Sequence, residues 1–154
     1  MMILFLLWLC FSGVDDFRNR KARNLVVIFG LFLAFAASAM GPEIHPLGVS
    51  FGESLISALV CFFVFFIFYF FRKMGAGDVK FGMALGAFIG FNFLLPVWAL
   101  SCSFALIHGI FSKWRYFVLI FLGGSLDFPK RNDKFIPYVT YLSIATVIVL
   151  MISK

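Results

Sequence analysis

Charge is the scarcest commodity of this 154-residue sequence, with 13 Lys and Arg set against 7 Asp and Glu. A soluble domain carries roughly 25% charged and about 45–50% apolar residues. Here 13% are charged and 63% are hydrophobic, and the mean hydropathy is +1.05. A water-soluble fold of this size has too little interior to hide so much apolar surface, so an ordinary globular domain is excluded. Cysteine and histidine are scarce as well, at 3 and 2 residues. Cys10, Cys61 and Cys102 stand singly within apolar runs and form no C-x-x-C pair. That excludes a disulfide framework and a zinc knuckle, and no metal or cofactor is expected. Length sets a further bound. A spanning helix takes about 20 residues, so the chain has room for six or seven spans and none for an added soluble domain. The expectation is one transmembrane domain over residues 1–154.

Long apolar runs make up most of the chain. The first, Met1 to Val14, precedes a basic cluster of Arg18, Arg20, Lys21 and Arg23. A secretory signal has its positive charge before the apolar run, so this one reads as a permanent first helix. Leu25 to Met40 is the second and ends at the Gly41, Pro42 and Pro46 loop, where a helix cannot continue. Ser54 to Phe71 is the third. Val79 to about Phe91 forms a fourth helix, a turn follows at Asn92 to Pro96, and a fifth helix reaches about Phe111. Tyr116 to Gly124 is apolar but too short to span, and Ser125 to Lys134 is polar. Phe135 to about Ile152 closes the chain. The fold class is therefore all-α, a polytopic membrane protein with about six transmembrane helices.

The few charges fix an orientation. Loops after helices one, three and five hold Arg18, Arg20, Lys21, Arg23, Arg72, Lys73, Lys80, Lys113, Arg115, Lys130, Arg131 and Lys134. Only Lys154 lies on the other side. Basic loops stay in the cytoplasm, which places both termini outside and the chain in the cytoplasmic membrane as a multi-pass protein. The net charge of +6 thus reports topology and attraction to anionic lipid, and no nucleic-acid partner is needed.

Four of the acids, Glu43, Glu53, Asp127 and Asp133, fall in polar loops and read as solvated surface. Asp15, Asp16 and Asp78 do not. They lie at the cytoplasmic ends of helices one and four, and an ionisable group beside hydrocarbon marks function by default. Asp78 ends the stretch Gly75-Ala76-Gly77-Asp78, followed by Val79 and Lys80. Two glycines allow a tight path with positive φ, and Asp is also a favoured helix N-cap. Gly82, Gly86 and Gly90 share a helical face and permit close packing, which could bring the Asp78 end against the Asp16 end of helix one. Lys80 could bias the charge of Asp78 or simply snorkel to the interface. Two carboxylates held together cannot both ionise easily, so such a pair shares a proton and can act as base and acid on one water. Adjacent helical residues point about 100° apart, so only one of Asp15 and Asp16 can join the pair.

The motif set resembles the type IV prepilin peptidase family, membrane aspartic peptidases with a GxGD motif. Three segments carry the resemblance. Gly75-Ala76-Gly77-Asp78-Val79-Lys80 looks like the family signature. Asp16 followed eight residues later by Asn24 looks like its first-aspartate stretch, which selects Asp16 over Asp15. Ile136-Pro137-Tyr138 is similar to a segment that opens its last helix. The chain departs from the pattern at Ala22-Arg23, where the family usually has Ile-Pro or Leu-Pro before the Asn. No N-terminal cysteine-paired methyltransferase domain is present in the sequence, so the likeness is to the compact, peptidase-only branch of tight-adherence (Flp) pilus or archaeal preflagellin systems, the bacterial form being preferred. The resemblance implies an aspartic endopeptidase with Asp16 and Asp78 catalytic and Gly75, Ala76, Gly77 and Lys80 in the motif loop. It implies a prepilin-like substrate with a basic leader and an apolar helix. The competing class is a non-enzymatic membrane assembly factor or a small ion or solute carrier. His108, the ionisable group deepest in a helix, is the residue a carrier would use; a helix-packing hydrogen bond is its simpler role.

Overall fold

The computed structural model describes residues 1–19, 23–72, 74–121 and 138–153, with only the backbone described at residues 112, 113 and 115–121. Among them there are five helices and no strand: α1 (Met2–Asn19), α2 (Asn24–Met40), α3 (Phe51–Phe70), α4 (Ala76–Phe121) and α5 (Tyr138–Ile152). Each apolar run of the sequence became helix, because a backbone without water must satisfy its hydrogen bonds within its own segment. The α3 span and the Ala76–Phe111 part of α4 are long and apolar enough to cross a bilayer; α2 and α5 are shorter apolar helices.

Three boundaries differ from the sequence reading. Helix α1 runs past Val14 to Asn19, so Asp15 and Asp16 lie inside its last turns. The turn expected at Asn92 to Pro96 is instead a break at Gly90, with φ 66° and ψ −177° inside α4. That conformation is open only to glycine, and a Cβ there would also lie 2.9 Å from Val49 Cγ2 and 3.0 Å from Glu53 Oε1. Pro96 stays inside the second arm of the helix, so the glycine turns the chain and the proline does not. Tyr116 to Phe121 continues that arm rather than forming a separate element. Phe135 to Pro137, the polar stretch Ser125 to Lys134 and the rest of the apolar segment to Gly124 lie outside the described residues.

The core is aromatic. Phe5, Trp8 and Leu9 of α1 pack on Phe81, Leu85 and Phe88 of α4. The Trp8 ring stacks on Phe81 at 5.1 Å between centroids, and its Nε1 donates to the Val26 carbonyl at 2.8 Å. Gly30 of α2 makes room for it, since a Cβ there would come within 2.4 Å of the indole. The glycine face of α4 does not meet α1, as the sequence suggested. Gly82 lies against Phe65, and Gly86 against Cys61 and Ser57, so this face seats α4 on α3. Close seating matters here because helices in lipid associate by packing rather than by a hydrophobic drive. At the far end, the loop after α2 is closed by buried His45, whose Nδ1 accepts from the Leu47 and Val49 amides at 3.3 and 3.2 Å. Outside the core, Ile3, Leu7, Phe17, Leu25, Phe32 and Phe70 are among the large apolar side chains that face outward.

Candidate active site

Asp16 and Asp78 approach from different helices. Asp16 sits in the last turns of α1 and is 4% exposed. Its neighbour Asp15 turns the other way. Asp15 accepts from Asn19 Nδ2 at 2.7 Å and pairs with Arg23 Nε at 3.2 Å. The 100° step between adjacent helical residues makes this division. Asp16 instead faces the start of α5, where Oδ2 accepts from the Thr140 amide at 3.3 Å. The Thr140 hydroxyl lies 3.5 Å from the same oxygen and donates to the Gly13 carbonyl at 3.0 Å.

Asp78 is half-buried in the first turn of α4. It is not the N-cap that its residue type suggested. Gly75 holds that position, and Asp78, three residues on, reaches back so that Oδ2 accepts from the Gly75 amide at 3.1 Å. This is the returning half of a capping box. Neither Gly75 nor Gly77 has a positive φ; among the described residues the glycines that do are Gly41, Gly48 and Gly90. The left-handed residue of this turn is Arg72, at φ 55°, just after α3 ends. Ala76, Gly77 and Lys80 belong to α4 rather than to a loop. A Cβ on Gly75 would stand 3.3 Å from Asp78 Oδ2, so a bare backbone leaves that carboxylate its space. Asp16 lies close enough to Asp78 for the two charges to act on each other.

Lys80 is exposed at the start of α4. Its Nζ donates to Asn24 Oδ1 at 3.1 Å and ties the start of α2 to the start of α4. Arg23 precedes α2 at φ −73° and ψ 130°, the φ that a proline imposes. The departure from the Ile-Pro pattern therefore leaves the backbone in the path a proline would take. The side chain gained there serves Asp15. Three more residues complete the surroundings: Thr140 and Ser101, which have no sequence signal of their own, and Tyr138, which the sequence marks only as the end of the Ile136-Pro137-Tyr138 segment. Tyr138 is buried, with its hydroxyl 3.0 Å from Ser101 Oγ and its ring edge-on to Phe65. Their positions depend on how α5 packs on α1 and α4, which spacing along the chain does not encode. His108 bonds the Tyr141 hydroxyl and so links α4 to α5. An apolar groove of about 410 Å³ runs along α1 and α5 from Thr140, lined by Leu9, Gly13, Val14, Ser143 and Val147 among others.

A family model for the type IV leader peptidase family matches residues 3–110, which includes both aspartates and the whole Gly75 to Lys80 stretch. The chain belongs to that family. Within the type IV leader peptidase family, it is similar to a prepilin leader peptidase/N-methyltransferase from Vibrio cholerae serotype O1. The two are 31% identical over 117 residues, a match that takes in 73% of this chain and 46% of the relative. The chain thus spans about half the length of the curated relative it matches. No solved structure matches it. The family match ends before α5, so the Thr140 contacts to Asp16 lie beyond it. Among the described residues no cluster of His, Cys, Asp and Glu could hold a metal ion.

Proposed function

We propose that this chain is an intramembrane aspartic endopeptidase that removes the basic leader of type IV prepilin-like proteins at the cytoplasmic face of the membrane. One observation carries the reading: two carboxylates from separate helices, Asp16 and Asp78, each held on its own backbone donor, stand within range of each other's charge. In the proposed reaction the pair holds one proton. The charged carboxylate takes a proton from water as the water oxygen attacks the scissile carbonyl carbon. The protonated carboxyl gives its proton to the carbonyl oxygen. The resulting diol collapses when the first carboxyl protonates the leaving nitrogen and a diol proton returns to the second.

The membrane setting follows from the same reading. The five helices among the described residues, one of them broken at Gly90, make six rods, and we take these as six spans with both termini outside. The ends that hold Asp16, Arg23 and Asp78 then face the cytoplasm, where the basic residues cluster. The groove along α1 and α5 supports the expectation that the substrate's apolar helix lies in the bilayer beside the pair. The whole chain acts as one peptidase domain with no cofactor.

The test uses purified protein in a lipid bilayer with a single-span substrate that carries a basic leader. Mass spectrometry should find one cut between the leader and the apolar helix, and Asp16→Asn or Asp78→Asn should abolish it. An intact substrate with the unaltered protein, or a cut that survives both substitutions, rejects the proposal.

A further inference from the structure

The groove along α1 and α5 runs from Leu9 to Phe17 on one helix and from Thr140 to Ile148 on the other. At about 1.5 Å per residue each side is about 12 Å long, room for about two turns of a third helix. One end belongs to the candidate active site, because the Thr140 amide there donates to Asp16 at 3.3 Å. Val14, Ile144 and Val147 give the groove apolar walls. Gly13 and Ser143 line it too, and both are buried. A Cβ on Gly13 would stand 3.3 Å from Ser143 Cβ, so the missing side chain lets the two helices close on each other here.

The Ser143 hydroxyl is out of keeping with these surroundings. The residue is 6% exposed, and its Oγ has no hydrogen-bond partner among the described residues. Other buried hydroxyls of the same two helices are paired. Ser12 donates to the Trp8 carbonyl and Thr146 to the Leu142 carbonyl, each one turn back. Thr140, the other hydroxyl in the groove, donates to the Gly13 carbonyl. A hydroxyl with no partner is costly where water is excluded. An acyl chain lying in the groove offers it nothing, whereas a helix can bring a polar side chain, the usual tie between helices in lipid.

We infer that the groove seats the first two turns of the substrate's apolar helix, and that Ser143 is a specificity-determining residue that hydrogen-bonds a polar side chain in the first of them. This rests on the peptidase reading above. Ser143 lies three residues beyond Thr140, about 4.5 Å along α5. A substrate helix that begins beside Asp16 therefore passes Ser143 within its own first turn.

The experiment measures Kd in bilayers for the full chain, made inactive by Asp78→Asn, and a single-span substrate with a basic leader, by energy transfer between labels. Three substrate helices are compared: wholly apolar, with one asparagine in the first turn, and with one in the third. The first-turn asparagine should tighten binding about threefold over the apolar helix, the scale of one hydrogen bond between helices in lipid. The third-turn asparagine should bring no gain. Ser143→Ala should bring the first-turn substrate back to the affinity of the apolar one, a difference between substrates that a merely structural role would not move. Val147→Phe, which fills the groove one turn farther along, should weaken all three. In the active chain the same differences should fall on KM and not on kcat. A preference that survives Ser143→Ala, or none in the first place, overturns the inference. So do equal affinities with and without Val147→Phe, which would give the groove to lipid or to a second copy of the chain. Cleavage is read separately: the expected preference in binding, with no cut by the active chain, rejects the peptidase reading and leaves the groove as a seat for the same helix.

Discussion

Gly86→Ala tests the seating that carries Asp78 into place. Helix α4 rests on α3 at this glycine, and a Cβ would stand 2.6 Å from Cys61 Sγ, 3.0 Å from Cys61 Cβ and 2.9 Å from the Ser57 carbonyl oxygen. Two of those atoms are Cβ or backbone, so a rotamer change cannot relieve the clash and the helices must separate. Overpacking of this kind costs about 1–3 kcal/mol. Alanine regains up to about 1 kcal/mol of helix propensity, which leaves a net loss of about 1–2 kcal/mol. At 2–4 °C per kcal/mol for a chain of roughly this size, purified protein should melt about 4 °C lower. Gly109→Ala is the control, since a Cβ there meets nothing within 4 Å, and it should melt no lower than the original. Adding Cys61→Ala should cost less in the Gly86→Ala background than alone, because the sulfur is part of the clash. A Gly86→Ala protein that melts with the Gly109→Ala control would refute the α3 and α4 contact.

Further outcomes follow from the surroundings of the site. Arg23→Pro should keep the fold and the cleavage, since residue 23 already holds a proline-like φ and Asp15, 11% exposed against 61% for Arg23, keeps its bond from Asn19; a loss of cleavage would show that the arginine does more than pair. Lys80→Met should loosen the start of α2 against α4 without abolishing cleavage, while Lys80→Arg should retain the bond to Asn24; hydrogen exchange at the first turn of α2 reads the difference. His45 gives a pH dependence at the opposite end. Burial pushes its imidazole below the usual value, and Nδ1 must stay unprotonated to accept two amides. The unfolded chain takes up that proton first, so stability should fall as pH drops below about 6.5, the free imidazole value. His45→Ala should flatten this acid-side loss in a melting series, and an unchanged slope would show that another group is responsible.

Much of this architecture could be read from the residues. The apolar runs became helices with ends shifted by a few residues, because helix is the hydrogen-bonded form open to an apolar segment. Asp15 and Asp16 parted as helical geometry requires. The misreadings share a cause. Gly75 and Gly77 looked like a loop with positive φ, yet an ordinary capping box needs no such angle. The turn expected over Asn92 to Pro96 lies instead at Gly90, where Val49 and Glu53 leave no room for a side chain. Thr140 had no signal at all, since it touches Asp16 across 124 residues of chain. Contacts between distant helices were the part that spacing could not supply.

The central claim is that Asp16 and Asp78 act as one unit. The most direct measurement is the rate of leader cleavage by Asp15→Asn, Asp16→Asn, Asp78→Asn and the Asp16→Asn/Asp78→Asn double variant under single-turnover conditions. Groups that act together are lost together. Asp15→Asn should cleave at close to the original rate, while each of the other single variants should fall by about a thousandfold or more and the double variant no further. Near-normal cleavage by Asp16→Asn, with the loss falling on Asp15→Asn instead, would contradict the account.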